Sequence, residues 1–369
     1  MNENNETLAL KPKIIVLHDY FAIRGGGERL ILDLCEGLDA DLCTGYWTND
    51  SYPQPTDLNI RVLSDKVPAS PKMLSMKKLF THNTDFLKEY DICIYSGQSS
   101  IYAVEQHKQG RNIYYCHTPP RYIFDQRAFY RSQFSWWLHP FFEILMLYLG
   151  FSYKRCIQHM DETLANSNNI KGRLLKYTGI DSRIVYPPID IKGFKWQTQG
   201  DYYLSNARLD PLKRIDKIIE AFTLLPDKKL VVVSGGSEEA KLREMAQNYP
   251  NIHITGWQSD EQIRNWVGSS IATLYIPVDE DFGMAPVESM AAGKPVIGVA
   301  EGGLLETLQH GKTGLLLSKQ LSVNDIVDAV KFMDKDAALV MREACEESAK
   351  RFSREIFIEG INEVLHIFT

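Results

Sequence analysis

Along this chain, short apolar runs alternate with stretches whose apolar positions recur every three or four residues. Residues 13–20 (KIIVLHDY) are the first such run and are predicted as a buried strand. The strand passes into FAIRGGGERLILDL, where Leu30, Ile31, Leu34 and Leu38 keep helical spacing. Further strands are predicted at 41–47, 91–97, 112–118 and 163–168. Apolar runs without polar alternation fit strands covered on both faces, and strand–helix alternation fits a parallel sheet flanked by helices. The pattern pauses at Val185-Tyr186-Pro187-Pro188, where paired prolines cannot join a ladder. It restarts with DYYLSNARL, KLVVVSGG, NIHITGW, IATLYIP and PVIGVA. The predicted class is therefore α/β, with two doubly wound parallel-sheet domains at 1–187 and 188–350. A last helix over 351–369, carried by Phe352, Ile356, Ile358, Ile361, Val364 and Ile367, is expected to pack back on the first domain. Two such halves imply a cleft, and ligands of these sheets bind outside the carboxyl ends of the strands.

Two segments stand out from the alternation. Residues 71–80 (PKMLSMKKLF) mix Met, Leu and Phe with Lys72, Lys77 and Lys78, which suits a surface helix with one packed side or an anionic membrane face. Residues 134–151 (FSWWLHPFFEILMLYLGF) are the most apolar of the chain. His139, Pro140 and Glu143 interrupt them, which makes the segment too short and broken for a comfortable membrane span; a packed core helix is the first reading and a shallow membrane dip the second.

Composition narrows the class without naming a function. Of 369 residues, 44% are apolar and 24% charged, as in globular proteins too long for a single core. A net charge of −6 gives no support to a nucleic-acid partner. The six cysteines show no C-x-x-C spacing, which fits reduced thiols in a cytoplasmic protein and not a zinc or disulfide framework. The first residues, MNENNETLALKPK, lack the charged start and apolar run of a signal peptide and are expected to be a frayed tail.

The chemistry concentrates in residues 277–306, PVDEDFGMAPVESMAAGKPVIGVAEGGLLE. A strand ends there, an acidic loop follows, and Gly283 opens a helix of small residues. A helix N-terminus presents N–H groups and a positive dipole end to an anion, and a glycine lets the backbone approach closely. Glu280 and Glu288 bracket that turn with seven residues between them. Upstream, Arg208 and Lys213 in ARLDPLKR are placed where a strand gives way to a helix, and could bind a diphosphate as planar fork and point charge. Gly25, Gly26 and Gly27 open a helix after the first strand, a second place for a phosphate, although their spacing is not G-x-G-x-x-G. Gly311-Lys312-Thr313 is no phosphate loop, because Glu306 stands where its first glycine belongs.

Taken together and in order, RGGGER, ARLDPLKR, the E-x7-E of EDFGMAPVE and GGLLE resemble the family-four retaining glycosyltransferases, whose GT-B fold pairs two Rossmann-like domains. The resemblance implies that Glu288 holds the donor ribose and that Glu280 contacts hydroxyls of the transferred sugar, with the backbone of Phe282, Gly283, Met284 and Ala285. It implies that Arg208 and Lys213 neutralise the leaving diphosphate, faced by Gly26 or a neighbour. Ser234, Gly235, Gly236, Gly256 and Trp257 match loops that line base and phosphates. His117, in YYCHTPPRYIFD, matches a histidine beside the transferred sugar; Asp19 and Arg121 would then lie on the acceptor side. The wording HTPPRY is similar to bacterial mannosyltransferases of O-antigen and surface-polysaccharide synthesis. That implies GDP-mannose as donor, a lipid-linked saccharide acceptor, and peripheral attachment at the cytoplasmic face of the inner membrane.

The resemblance also implies retention of anomeric configuration by front-face attack, with the leaving phosphate taking the acceptor proton. Asp-x-Asp triplets occur at 39–41, 279–281 and 334–336, but no clustered His/Asp/Glu ligand set accompanies them in the sequence, so neither metal nor other cofactor is expected. Three alternatives stay open: a UDP-sugar donor, a nucleotide-sugar epimerase of the same architecture, and a non-catalytic sugar-nucleotide-binding module.

Overall fold

A computed structural model describes residues 11–366. Residues 1–10 of the predicted frayed tail (1–13) and Ile367 therefore lie outside the described residues; Lys13, at the end of that stretch, is tied down by its N–H, which donates to Asp91 at 2.7 Å. The chain divides into two compact units, one of Met1–Asn166, Ile170–Val185 and Asn362–Thr369, the other of Ser167–Asn169 and Tyr186–Ile361. The change at Val185 falls where the paired prolines interrupt the alternation.

The first unit runs β1 (Ile14–His18), α1 (Gly26–Leu38), β2 (Asp41–Thr44), β3 (Ile60–Val62), α2 (Lys72–His82), β4 (Ile92–Ser96), β5 (Arg111–Cys116), α3 (Arg127–Ser132), α4 (His139–Ile157), β6 (Glu162–Ala165), α5 (Asn168–Thr178) and β7 (Arg183–Ile184). Its seven strands lie in the order β3-β2-β1-β4-β5-β6-β7, all parallel. In β1, Val16 stands opposite Leu42 on one side and Ile94 on the other, and every residue of β1 and β4 is buried. The apolar runs are thus strands covered on both faces, each buried aliphatic side chain contributing about 1.5–3 kcal/mol. The chain leaves β1 in one direction through β2 and β3, then returns to build β4 to β7 on the other side. The order reverses between β1 and β4.

The second unit runs β8 (Tyr202–Ser205), α6 (Ile215–Thr223), β9 (Lys229–Val232), α7 (Glu239–Ala246), β10 (Ile252–Ile254), α8 (Asp260–Gly268), β11 (Thr273–Tyr275), α9 (Met284–Ala291), β12 (Val296–Val299), α10 (Leu304–Thr307), β13 (Gly314–Leu317), α11 (Val323–Phe332), α12 (Lys335–Val340), α13 (Arg342–Lys350) and α14 (Arg354–His366). Six parallel strands follow the order β10-β9-β8-β11-β12-β13, so the reversal here lies between β8 and β11. Serine capping boxes start α8 and α11, where Ser259 and Ser322 each accept the backbone N–H three residues on.

Several elements differ from the sequence expectation. β3 and β7 are strands of three and two residues with Arg61 and Arg183 among them, too short and too polar to read as apolar runs. They sit at the sheet's edges, where half-exposed positions are tolerated. In α14, Phe357, Ile361 and Val364 are buried, but Ile356 faces solvent. The helix spans the division at Ile361, so its tail alone groups with the first unit, where the Arg111 guanidinium donates to the carbonyls of Val364 and Leu365 (3.2 and 2.9 Å). The six cysteines are buried and none joins a disulfide.

The two segments singled out by composition also differ. α2 turns two of its three lysines inward: Lys72 lies over the Tyr20 ring and reaches the Tyr46 hydroxyl, and Lys77 lies over Tyr102. Those two lysines are held by aromatic faces, and Lys78 is exposed. The expected core helix of 134–151 is not one either. Its helix begins only at His139, and one face stays open to solvent while Phe142, Met146 and Leu149 pack with Ile123. No helix of the described residues is long and apolar enough to cross a membrane.

Candidate active site

In the second unit, Arg208, Lys213, Ser234–Gly236, Gly256–Trp257, Glu280 and the Gly302-Gly303 pair all follow the carboxyl ends of parallel strands. Lys213 ends a short turn, Pro211–Lys213, that leads from β8 towards α6. Glu280 follows β11, the neighbouring strand across the reversal. Lys213 Nζ lies 2.6 Å from Glu280 Oε2 and donates to the Tyr275 hydroxyl at 3.1 Å; that hydroxyl donates to Glu280 Oε1 at 3.0 Å. Burial pulls the Lys213 pKa down, but Tyr275 and the Glu280 carboxylate outweigh it, so the ammonium is held above its ordinary range. Burial and the same carboxylate push the Tyr275 phenol up, so it stays a neutral donor.

The backbone around Glu280 is braced from below. Gly303 N–H donates to the Glu280 carbonyl at 2.8 Å, and Asn169 Nδ2 donates to it at 2.8 Å. Gly302, at φ +60°, sits so close that a Cβ there would lie 2.3 Å from the Glu280 carbonyl oxygen. Glycine is required at that position on both counts. Gly283, at φ +90°, then starts α9, and neither a capping side chain nor an acidic residue occupies the helix's first turn. Met284 and Ala285 thus offer main-chain N–H groups at a positive dipole end. Phe282 contributes only its backbone, because its ring is buried against Tyr186 and Phe352. Glu288 is half-buried one turn along α9 from Met284.

The remaining loops of this unit meet one another. Gly235 lies under the exposed Trp257 indole, where a Cβ would come 2.3 Å from Nε1, and Gly236 packs on the Leu209 backbone. Leu209 N–H donates to the Gly235 carbonyl at 3.1 Å, and Gly256 turns its chain at φ +78°. Ser234 is buried behind them. Arg208 belongs to this group, half-exposed and 2.8 Å from Asp210.

The first unit gathers a separate cluster at its own reversal. Asp19 follows β1, and its carboxylate accepts from the backbone of Gln98, Ser99 and Ser100 at 2.7–2.8 Å. Burial pushes its pKa up while those three N–H groups pull it down. Asp19 is thus a clasp between β1 and the turn after β4, which leaves it little capacity for an acceptor. His117, after β5, shares a 2.6 Å hydrogen bond with Ser96 Oγ, and its ring stands edge-on to His18 with centroids 6.3 Å apart. Burial depresses both imidazoles, His117 to about 4 and His18 to about 3, so each is neutral at pH 7. Arg121 is paired with Asp125 at 3.0 Å. Gly25 precedes α1 in extended conformation and Gly26 and Gly27 begin the helix, but Glu28 lies against this start: a Cβ on Gly25 would come 2.6 Å from its carboxylate.

Residues 188–352 match the family of glycosyl transferases group 1. That match takes in nearly all of the second unit. The human alpha-1,3/1,6-mannosyltransferase ALG2 is 23% identical to this chain over 83% of the chain and 84% of its own length. Sucrose-phosphate synthase of Thermosynechococcus elongatus shares the fold with a TM-score of 0.79 and 18% identity, covering 96% of this chain and 99% of that one. Anabaena HepE, solved in complex with UDP, does so at a TM-score of 0.73 and 17% identity, again over 96% and 99%. The two Rossmann-like sheets are those of the GT-B glycosyltransferases.

Three parts of this architecture escaped the sequence. Tyr275 sits inside the run IATLYIP, where it reads as a core aromatic. His18 is the penultimate polar residue of KIIVLHDY, and its buried Nδ1 has no partner among the described residues. Glu301 is 4% exposed and holds Arg214 at 2.9 Å and Lys319 at 3.1 Å. A carboxylate beside two glycines, eighty-seven positions from its arginine, gives no local signal. Among the described residues no group of three or more His, Cys, Asp or Glu is gathered to hold a metal ion.

Proposed function

We propose that this glycosyltransferase moves mannose from GDP-mannose, with retention, to a lipid-linked saccharide in bacterial surface-polysaccharide synthesis, as a cytoplasmic protein attached peripherally to the inner membrane. The observation that carries the reading is the Lys213–Glu280–Tyr275 triangle beside the uncapped start of α9. Curated relatives named as mannosyltransferases support the choice of sugar.

Breaking the bond from an anomeric carbon to a nucleoside diphosphate leaves positive charge on the sugar ring and adds negative charge to the phosphate. Lys213, kept protonated by its neighbours, and Arg208 stabilise that phosphate charge from positions set before the reaction, and no metal is needed for it. Glu280 accepts hydrogen bonds from hydroxyls of the transferred mannose. Its spacing from Glu288 does not assign glycosidase roles, because both carboxylates bind the donor, Glu288 at the ribose. The acceptor hydroxyl attacks on the face the diphosphate leaves, and the phosphate takes its proton. Neutral His117 offers a hydrogen bond to the sugar, not a proton source. Arg121 is assigned to the acceptor.

A second reading keeps the reaction and changes the donor to a UDP-sugar; a solved relative of the same fold was found with UDP. Thermal stabilisation by GDP, UDP, ADP and dTDP without metal separates the two, because a ligand that binds only the folded state raises its melting temperature. A shift with GDP alone is expected. A shift with UDP alone overturns mannose, and no shift with any of them overturns the donor site.

A further inference from the structure

α4 and the turn before it leave an unusual surface. Trp136 is 81% exposed, Phe141 69% and Phe151 71%, and Trp137, Ile144 and Tyr148 are exposed with them. From Trp137 the spacing is four, three, four and three residues, one stripe along one helix face. The opposite face is satisfied: Phe142, Met146 and Leu149 are buried against Ile123, with Met73 and Leu74 of α2 packed on them. So many large aromatics in one stripe exceed the scattered exposure common in globular proteins.

Charge indicates what covers it. Over residues 127–157 there are three arginines and one lysine against a single carboxylate, Glu143, in a chain of net charge −6. Both Arg127 and Arg131 bind that carboxylate, so no negative charge there is left uncompensated. Lys154 and Arg155 follow Phe151 by three and four residues and extend the same stripe, both exposed. An apolar strip rich in Trp, Tyr and Phe, bordered by cations, is the composition that settles at the boundary between headgroups and acyl chains. Lys154 also lies over the Phe124 ring and Arg155 is 3.5 Å from the Glu105 carboxylate, but both side chains stay at the surface beside the apolar face of α4.

We propose that the Trp136–Phe151 face of α4 docks on an anionic lipid surface, lying in its plane without crossing it. The aromatic side chains enter the headgroup layer, and Lys154 and Arg155 meet lipid phosphates. The proposal supplies the element for the membrane attachment proposed above. It stands on the exposed face and not on the donor site, so vesicle binding and nucleotide stabilisation fail independently.

The experiment is co-sedimentation of the full chain with vesicles of equal parts phosphatidylglycerol and phosphatidylcholine, compared with phosphatidylcholine alone. The wild-type chain is expected to pellet with the anionic vesicles. Trp136→Ser/Phe141→Ser/Phe151→Ser, all exposed positions, should weaken partitioning about tenfold or more, and Lys154→Glu or Arg155→Glu about fivefold each on anionic vesicles only. Wild-type protein left in the supernatant, or a triple variant that pellets as well as wild type, overturns it. A wild-type dimer in solution that the triple variant converts to monomer also overturns it, because the stripe would then be a self-interface. A readout without variants is quenching of tryptophan fluorescence by phosphatidylglycerol vesicles with brominated acyl chains. Quenching is expected, and its absence counts against the proposal.

Discussion

Lys213 Nζ and Glu280 Oε2 are 2.6 Å apart, on loops that follow adjacent strands at the point where strand order reverses. Each group is about four-fifths buried, so neither is a solvated surface charge. Glu280→Gln keeps the shape and removes the charge. We expect kcat to fall about a hundredfold or more, the scale of losing one preorganised polar contact to a transition state. The variant should also lose activity towards alkaline pH earlier than wild type, because the carboxylate that raises the Lys213 pKa is gone. In wild type the raised pKa keeps the pair's stabilisation in full below about 10.5, and it is lost only above that. A Glu280→Gln enzyme with wild-type turnover across pH would remove Glu280 from the site.

Tyr275→Phe deletes one hydroxyl that touches both members of the pair. The ring stays, so packing is kept. Stability should fall by about 1–2 kcal/mol in urea denaturation, and kcat/KM about tenfold as Glu280 loses one of its two fixed donors. A change in stability with intact kinetics would make the hydroxyl structural only.

Gly302→Ala tests the brace beneath Glu280. The new Cβ meets the Glu280 carbonyl at 2.3 Å, and φ +60° strains any side chain there. Backbone strain of this kind costs on the order of 1–3 kcal/mol. The loop must move, and kcat is expected to fall further than at an unbraced glycine such as Gly311, where a Cβ meets nothing. Equal effects of Gly302→Ala and Gly311→Ala on kcat would mean that the loop does not position Glu280.

The fold was legible because both sheets are parallel and covered, so β1, β4 and β12 appear as unbroken apolar runs. The edge strands β3 and β7 were not, being short and partly polar. Lys213, Glu280 and Gly283 were legible as strand-end residues of a doubly wound sheet. Their partner Tyr275 was not, since a phenol in an apolar run looks like core until its hydroxyl is placed. The exposure of α4 was hidden for the same reason: an apolar sequence does not say which of its faces is covered. Glu28 beside Gly25 is a contact that the glycine run alone did not foretell.

Arg214 adopts left-handed backbone at φ 53°, a conformation that costs a non-glycine residue about 1–2 kcal/mol. Its guanidinium reaches the buried Glu301, next to the Gly302-Gly303 loop, and so ties the turn carrying Lys213 to the loop that braces Glu280. Glu301→Ala should destabilise by about 3 kcal/mol, since it strands a largely buried arginine. Adding Arg214→Gly removes both the stranded charge and the backbone strain, and should recover more than half of that loss. Strictly additive costs in a double-mutant cycle by urea denaturation would show that the two residues do not act together.

His18 and His117 make the fold acid-sensitive. Burial lowers His18 from 6.5 to about 3, aided by the neighbouring His117 and opposed by the Ser96 backbone; burial lowers His117 from 6.5 to about 4. Above pH 6.5 both rings are neutral whether the chain is folded or not, and they give stability no pH dependence. As pH falls below that value, the unfolded chain binds protons that the folded chain refuses, so stability declines until the folded rings themselves titrate. At pH 5 the loss is about 2 kcal/mol per ring. His18 is the better probe, being the more buried and lacking a partner for Nδ1 among the described residues. His18→Gln keeps polarity without a titrating ring. Urea midpoints at pH 7.5, 6 and 5 should fall more gently for this variant than for wild type, whatever its stability at pH 7.5. Parallel slopes would assign the acid sensitivity to other groups.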